Sequence, residues 1–214
     1  MGYASPPYDY APPPNGYSQP PYPYAPAPTI GVSQQRPNPG VHLHDGLCLH
    51  LTAGGGGFLL SPGPGSDLAG AGGGADVALG AALTPHLVLM GAITESFAEI
   101  SVSGANDAAK LLAVMVGFGP SLTYYLSSNF FFSGTIAAGS IQLQRTKDAT
   151  QTWSTGAGLS VAAEIGQEWW VSDNWALGVA FRGQYLRAKE QNAGAYPPVW
   201  TASSFNLLFS GTYN

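Results

Sequence analysis

The chain has 214 residues, room for one domain of up to about 200 residues with a sizeable core. Only 9% of them are charged, against roughly 25% in soluble globular domains, while 12% are aromatic. Seven Lys and Arg against twelve Asp and Glu give a formal net charge of -5, too few and too scattered cations for a phosphate-binding face, so nucleic acid is excluded as a partner.

Residues 1–40 hold twelve of the eighteen prolines and six of the eleven tyrosines, and no leucine. Proline removes amide donors and fixes the backbone near polyproline II, so PPYDYAPPPNGYSQPPYPYAPAP predicts a disordered, extended, semi-rigid arm that serves as a spacer. A proline-recognising or wall-associated partner is the functional alternative. MGYASPPYDY has neither the basic flank nor the apolar run of a secretory leader, so export would depend on a leader outside these residues.

After Gly40 the composition turns to Gly, Ala, Leu, Val and Ser. HLHDGLCLH crowds His42, His44, Cys48 and His50 at the start of the first segment, a spacing that invites a metal. The plainer reading, adopted here, is a solvated approach to a strand with no metal. Cys48 is the only cysteine, which excludes an intrachain disulfide and a thiolate cluster. Gly54 to Gly57, then Gly70, Gly72, Gly73 and Gly74, suggest a phosphate loop, but no Lys-Ser/Thr follows and no strand-to-helix switch is visible. Glycines at bends and aromatic packing sites account for them.

KLLAVMVGFGPSLTYYLSSNFFF, Lys110 to Phe132, would pass a hydropathy window of about 19 residues as a membrane helix. Gly117, Gly119 and Pro120 lie in its middle, and Ser127-Ser128-Asn129 is a turn signal. A two-residue period fits better. From Trp175 to Tyr185 the odd positions are Trp, Leu, Val, Phe, Gly and Tyr, and the even ones are small or polar. Leu159, Val161, Ala163, Ile165 and Trp169 repeat the pattern against Ser160, Ala162, Glu164, Gly166 and Glu168. So do Phe205, Leu207, Phe209, Gly211 and Tyr213 against Asn206, Leu208, Ser210 and Thr212.

Eight such segments follow: 47–60, 69–83, 87–102, 110–126, 130–146, 152–170, 175–189 and 200–214. Short connections at Thr84-Pro85-His86, Ser127-Ser128-Asn129 and Ser172-Asp173-Asn174 alternate with the longer SPGPGSDLAG, SGANDAA, KDATQ and EQNAGAYPPV. This is the pattern of an all-β, antiparallel, up-and-down eight-stranded transmembrane barrel over residues 41–214. With an even strand number both barrel ends lie on the short-turn side, which makes the arm periplasmic. VLMGAITES permits either face outward, and FFFSGTIAAGSIQLQ calls for a bulge.

Trp and Tyr prefer the boundary between lipid tails and water, where ring and polar tip are both accommodated. Trp169, Trp170, Trp175 and Tyr213, with Tyr124, Tyr125 and Phe130, are expected as a periplasmic girdle. Trp153, Tyr185 and Trp200 are expected at the opposite strand ends. The run from Trp175 to Tyr185, at about 3.3 Å per residue and a tilt near 40–45°, spans roughly 23–25 Å, the height of the usual apolar band. The alternation turns Asp76, Glu164, Glu168 and Arg182 inward, with His50, Glu95 and Lys110 as further companions. An interior this narrow is filled by side chains, so these residues form a polar plug; a gated proton or small-ion path is the alternative. Glu164 and Glu168 lie about 13 Å apart on an extended strand, too far to share a proton.

The closing FNLLFSGTYN, the eight segments and the alternating turns resemble the small bacterial outer-membrane barrels, such as the OmpA transmembrane domain and OmpX. In that family the last strand carries alternating apolar residues and ends on an aromatic, the signal read by the barrel assembly machinery. Phe205, Leu207, Phe209 and Tyr213 match it, whereas Asn214 departs from the commonest ending. The resemblance covers residues 41–214 and brings no catalytic residues. It implies a bacterial outer-membrane location, the lipid bilayer and the assembly machinery as partners, a monomer, and no cofactor.

The expected role is structural, in envelope integrity or in interactions made by the outward loops. Three alternatives stand beside it: a lipid-modifying outer-membrane enzyme, a narrow channel, and a soluble lipocalin-like ligand-binding barrel. The enzyme would need His and Ser together on a lipid-facing strand with an acidic orienter. None of His42, His44, His50 or His86 is followed two residues later by Ser; His50 has Thr52, on the inner face.

Overall fold

A computed structural model of the chain describes residues 44–63, 65, 67–102, 109–146, 148–191, 194 and 197–214. The arm expected over residues 1–40, and His42, lie outside them. The strands are β1 (Leu47–Ser61), β2 (Leu68–Thr84), β3 (Leu87–Val102), β4 (Ala109–Tyr125), β5 (Phe130–Arg145), β6 (Asp148–Ser154), β7 (Gly158–Trp170), β8 (Trp175–Lys189) and β9 (Val199–Tyr213). Each pairs antiparallel with its neighbour in sequence, except that β6 and β7 both pair with β5. Pairing of β1 with β9 closes the sheet, so β6 and β7 together act as one stave of an eight-stave barrel. Closure gives every strand except β6 two strand partners; β6 pairs with β5 alone, and a single bridge from Thr155 to Glu190 continues its stave toward β8.

The division between β6 and β7 falls inside the sixth predicted segment. Gln142 of β5 faces Ser154 and Gly139 faces Gly158, so three steps on β5 are matched by four on its partner. That extra residue is a bulge. It was expected in FFFSGTIAAGSIQLQ, but β5 holds one register against β7 from Phe130 to Gly139, and the extra residue lies on the partner between Ser154 and Gly158; a further shift against β6 falls between Gln144 and Arg145. Much of KDATQ is strand rather than loop, so only residues 146–147 separate β5 from β6. The strict alternation of short and long connections fails at that point. Lys110 to Phe132 becomes β4, a turn with Asn129 at φ 58°, and the start of β5.

The faces of the barrel are the reverse of those of a soluble protein. Large apolar side chains point out along every long strand; Phe209 is 76% exposed, Leu207 67%, Phe118 65% and Ile136 64%. A soluble monomer rarely exposes an apolar patch above a few hundred Å², and a soluble barrel would put these rings inside. In β3 the ambiguity resolves with Val88, Met90, Ala92, Thr94 and Ser96 inward and Leu89, Ile93, Glu95 and Phe97 outward.

Leu207 faces outward midway along β9, beside Phe181. Leu207→Arg is therefore expected to lower the unfolding free energy of the chain in lipid bilayers by about 2–4 kcal/mol, the cost of a cation at the membrane midplane. On a soluble barrel the same change would be near neutral. Denaturant titration in vesicles distinguishes the two.

Candidate functional site: the barrel interior and its lipid-facing band

The interior holds two apolar clusters and a polar network. At the long-connection end Phe58, Ile100, Met115, Ile141, Leu186 and Trp200 pack into an apolar cluster. At the short-turn end Val88, Met90, Tyr125, Phe131 and Leu208 pack into a second. Between and alongside them runs a belt of polar side chains, supplied by the inward positions of β7, β8 and β9 and of β1, β2 and β3, because the pleat turns every second residue inward.

All four residues expected in the lumen are there. Arg182 is 1% exposed and forms an ion pair with Asp76; its Nη2 also donates to the Glu95 carbonyl at 2.9 Å and to Ser96 Oγ at 3.1 Å. Gly74 makes room for this guanidinium, since a Cβ there would collide with Arg182 Nη2. Around it Gln184 donates to Thr94 and Ser160 at 2.9 and 3.2 Å, and Asn206 donates to Ser204 at 3.3 Å. A buried charge is tolerated when paired and hydrogen-bonded, and this belt supplies both.

Glu164 and Glu168 occupy a second centre around His50. The imidazole lies 3.5 Å from a Glu164 oxygen and 3.6 Å from a Glu168 oxygen. His50 Nδ1 is 2.8 Å from Thr212 Oγ1, which itself donates to Glu168 Oε1 at 2.8 Å, so the imidazole nitrogen is the donor of that pair. The two carboxylates, too far apart along the strand to meet, are joined through a ring from β1 across the lumen. Thr212 gave no distinctive signal in the sequence beyond its even position.

Two companions go the other way. Glu95 faces outward on β3, and Lys110 is half exposed and pairs with Glu99 on the outer surface. Both follow the parity of their strands, which a single ambiguous segment could not fix.

The aromatics divide likewise. Trp169, Trp175, Tyr185 and Trp153 are 55, 38, 42 and 41% exposed on the outer face, and Trp175 meets Tyr213 edge to face at 5.3 Å. Phe130 packs with outward Phe132, and Tyr124 is also outward. Trp170, Tyr125 and Trp200 depart from the girdle expected of them. Trp170 has inward parity and lies over the ring of His44 at 5.3 Å. Tyr125 is 2% exposed and stacks on His44 at 3.6 Å. Trp200 is 4% exposed, with its Nε1 donating to Glu190 at 3.3 Å. Each stands one residue out of phase with the lipid-facing set, and in a strand one residue is the whole difference between lipid and lumen.

At the short-turn mouth the residues of HLHDGLCLH separate. His44 Nδ1 donates to Asn214 Oδ1 at 3.1 Å, Cys48 Sγ reaches the same oxygen at 2.9 Å, and His50 lies with the glutamates. Among the described residues no three His, Cys, Asp or Glu side chains converge to hold a metal ion. Thr52 faces inward and is buried, and the ring nitrogen of His86 donates to the Tyr125 carbonyl at 3.1 Å.

A closed antiparallel barrel with an apolar exterior and a packed polar interior has the fold of the small eight-stranded outer-membrane barrels. No protein-family model matches the chain, and no curated protein does. Among solved structures, Neisserial surface protein A (NspA) superposes with a TM-score of 0.52 at 12% identity, over 78% of this chain and 96% of that one. Ail, the attachment invasion locus protein of Yersinia pestis, gives 0.48 at 10% identity, over 79% and 99%. The outer membrane protein OprG from Pseudomonas aeruginosa gives 0.44 at 10%, over 80% and 98%. At such identities the likeness to NspA establishes the fold and nothing finer.

Arg182→Ala leaves Asp76 buried without its partner and is expected to destabilise the barrel by about 3–5 kcal/mol, whereas the paired change Asp76→Leu with Arg182→Met costs much less. Urea midpoints of both variants in detergent check this. Burial holds the pKa of His44 below its ordinary value of 6.5, against the opposing hydrogen bond to Asn214. A depressed folded pKa contributes stability that is present above 6.5 and lost as pH falls below it. The wild-type chain is therefore expected to lose more stability between pH 8 and pH 5 than His44→Gln, at about one factor of ten in the folding equilibrium per unit of pKa difference.

Proposed function

We propose that this protein is a monomeric, non-enzymatic barrel of the bacterial outer membrane with a plugged interior, acting through envelope integrity or through its outward connections. The observation that carries this reading is the inverted distribution of side chains. A band of exposed Leu, Phe, Ile and Val surrounds a lumen filled by a polar network and two apolar clusters. Hydrocarbon is the medium in which such a surface is stable, and a filled lumen leaves no continuous water path.

The likeness to NspA agrees with this reading at the level of the fold. Short turns face the periplasm in barrels of this kind, and β1 begins and β9 ends on that side, which supports the reading of the proline-rich arm as periplasmic. Against an enzyme stands the placement of the histidines: His44 and His50 are buried inside, and His86 sits in a short turn. None of these lies in the lipid-facing band with a serine and a carboxylate.

Refolded in detergent, the chain is expected to run faster unboiled than boiled on a gel and to give a β far-UV spectrum. In planar bilayers it is expected to give no discrete conductance steps. Steps that change in Arg182→Ala would establish a channel, and hydrolysis of acylated lipid A would establish an enzyme.

A further inference from the structure

The cations outside the lumen are unevenly placed. Among the described residues Lys110, Arg145, Arg187 and Lys189 all stand at the long-connection ends of their strands, and none stands at the short-turn end. Lys110 is paired with Glu99, and Arg145 donates to Gln151 at 3.0 Å. Arg187 and Lys189 differ from these two. They are exposed on the outward face of β8, and among the described residues neither meets a carboxylate. The nearby Glu190 is turned to the indole of Trp200, and Asp67 accepts from Ser61.

Below these cations the lipid-facing surface is hollowed. A groove of about 250 Å³ runs across β7, β8 and β9, lined by Val161, Ala163, Gly183, Tyr185, Ser203 and Phe205. A second cleft of about 270 Å³ continues above Tyr185, between Ala157, Gly158 and Val199 and the stems of Arg187 and Lys189. The registers set the two one row apart on the same face: Tyr185 faces Val161 and Ser203, and Arg187, two residues on, faces Leu159 and Thr201. Two residues advance roughly 5 Å along the barrel axis at about 3.3 Å per residue and the usual tilt. The cations thus stand at headgroup level, just beyond the girdle tyrosine, while the lower groove lies in the apolar band.

We propose that this face of β7, β8 and β9 is a binding site for one phosphorylated lipid of the outer leaflet. An acyl chain lies in the groove over Gly183, and a headgroup phosphate is held by Arg187 and Lys189. Charge complementarity selects the occupant: an apolar groove beside two cations that meet no carboxylate among the described residues fits a ligand with a hydrocarbon tail and an anionic head. A neutral lipid would leave the cations unanswered, and free phosphate would leave the groove empty. This rests on the outer-membrane reading, because the long-connection end must face the outer leaflet.

The test is native mass spectrometry of the full chain, refolded in a neutral detergent and titrated with diphosphoryl lipid A, dephosphorylated lipid A, phosphatidylcholine or inorganic phosphate. Gel mobility confirms folding of each variant. The wild-type barrel is expected to retain one diphosphoryl lipid A at about thirtyfold lower concentration than the double variant Arg187→Ala, Lys189→Ala, the scale of two headgroup contacts of about 1 kcal/mol each. Gly183→Leu fills the groove: a Cβ there would rest 3.6 Å from the Phe205 ring without collision, so the fold survives while lipid retention falls. The other three probes are expected to bind no better to wild type than to the variants. Equal retention of lipid A by folded wild type and the double variant would overturn the site, as would retention unchanged in Gly183→Leu or competition by inorganic phosphate alone. A chain that stays monodisperse without detergent and shows no mobility shift would instead overturn the membrane reading beneath it.

Discussion

Hydrocarbon offers no partner to a peptide group, and the architecture follows from that constraint. Each amide and carbonyl within the apolar band must be matched inside the sheet, which for strands means closure of β1 onto β9. Closure fixes the inside and the outside, and the pleat assigns every residue to one or the other. The apolar surface of Phe209, Leu207 and Phe118 and the polar belt around Arg182 are then two readings of one alternation.

Within the belt the residues serve each other more than any external ligand. Arg182 is held by Asp76, a backbone carbonyl and Ser96, and Gly74 gives up its side chain so that the guanidinium fits. His50 joins two carboxylates that the strand itself keeps apart. Such networks add less net stability than an apolar core of equal volume, but each member becomes costly to remove. Together with the two apolar clusters they fill the interior, with a small residue such as Gly74 where a large polar side chain crosses.

Much of this was legible in the sequence. The period of two, unbroken from Trp175 to Tyr185 and from Phe205 to Tyr213, specified strands, faces and the inward position of Arg182, and the turn residues specified most of the connections. What escaped was phase. Trp170, Tyr125 and Trp200 are chemically interfacial but sit on inward positions, and amino-acid type alone favoured the girdle. Glu95 and Lys110 are chemically luminal but sit on outward ones. The extra residue near Gly156 could be sensed but was assigned to the wrong strand, because a bulge is a property of a pair and only the partner's register reveals which member carries it. The union of His50 with Glu164 and Glu168 depends on cross-lumen distances that no linear pattern contains.

The mouth of the barrel at Asn214 bears on how the chain completes itself. The side-chain oxygen of Asn214 accepts from His44 and Cys48, partners 170 and 166 positions away, and its amide bonds the Asn174 carbonyl at 3.1 Å. Asn214 is thus the clasp that joins the first stave to the last. Contacts of such long separation form late, since the intervening chain must already be ordered before the loop they close is short. Assembly then resembles fastening a belt: until both ends arrive, the seam between the outermost strands is open.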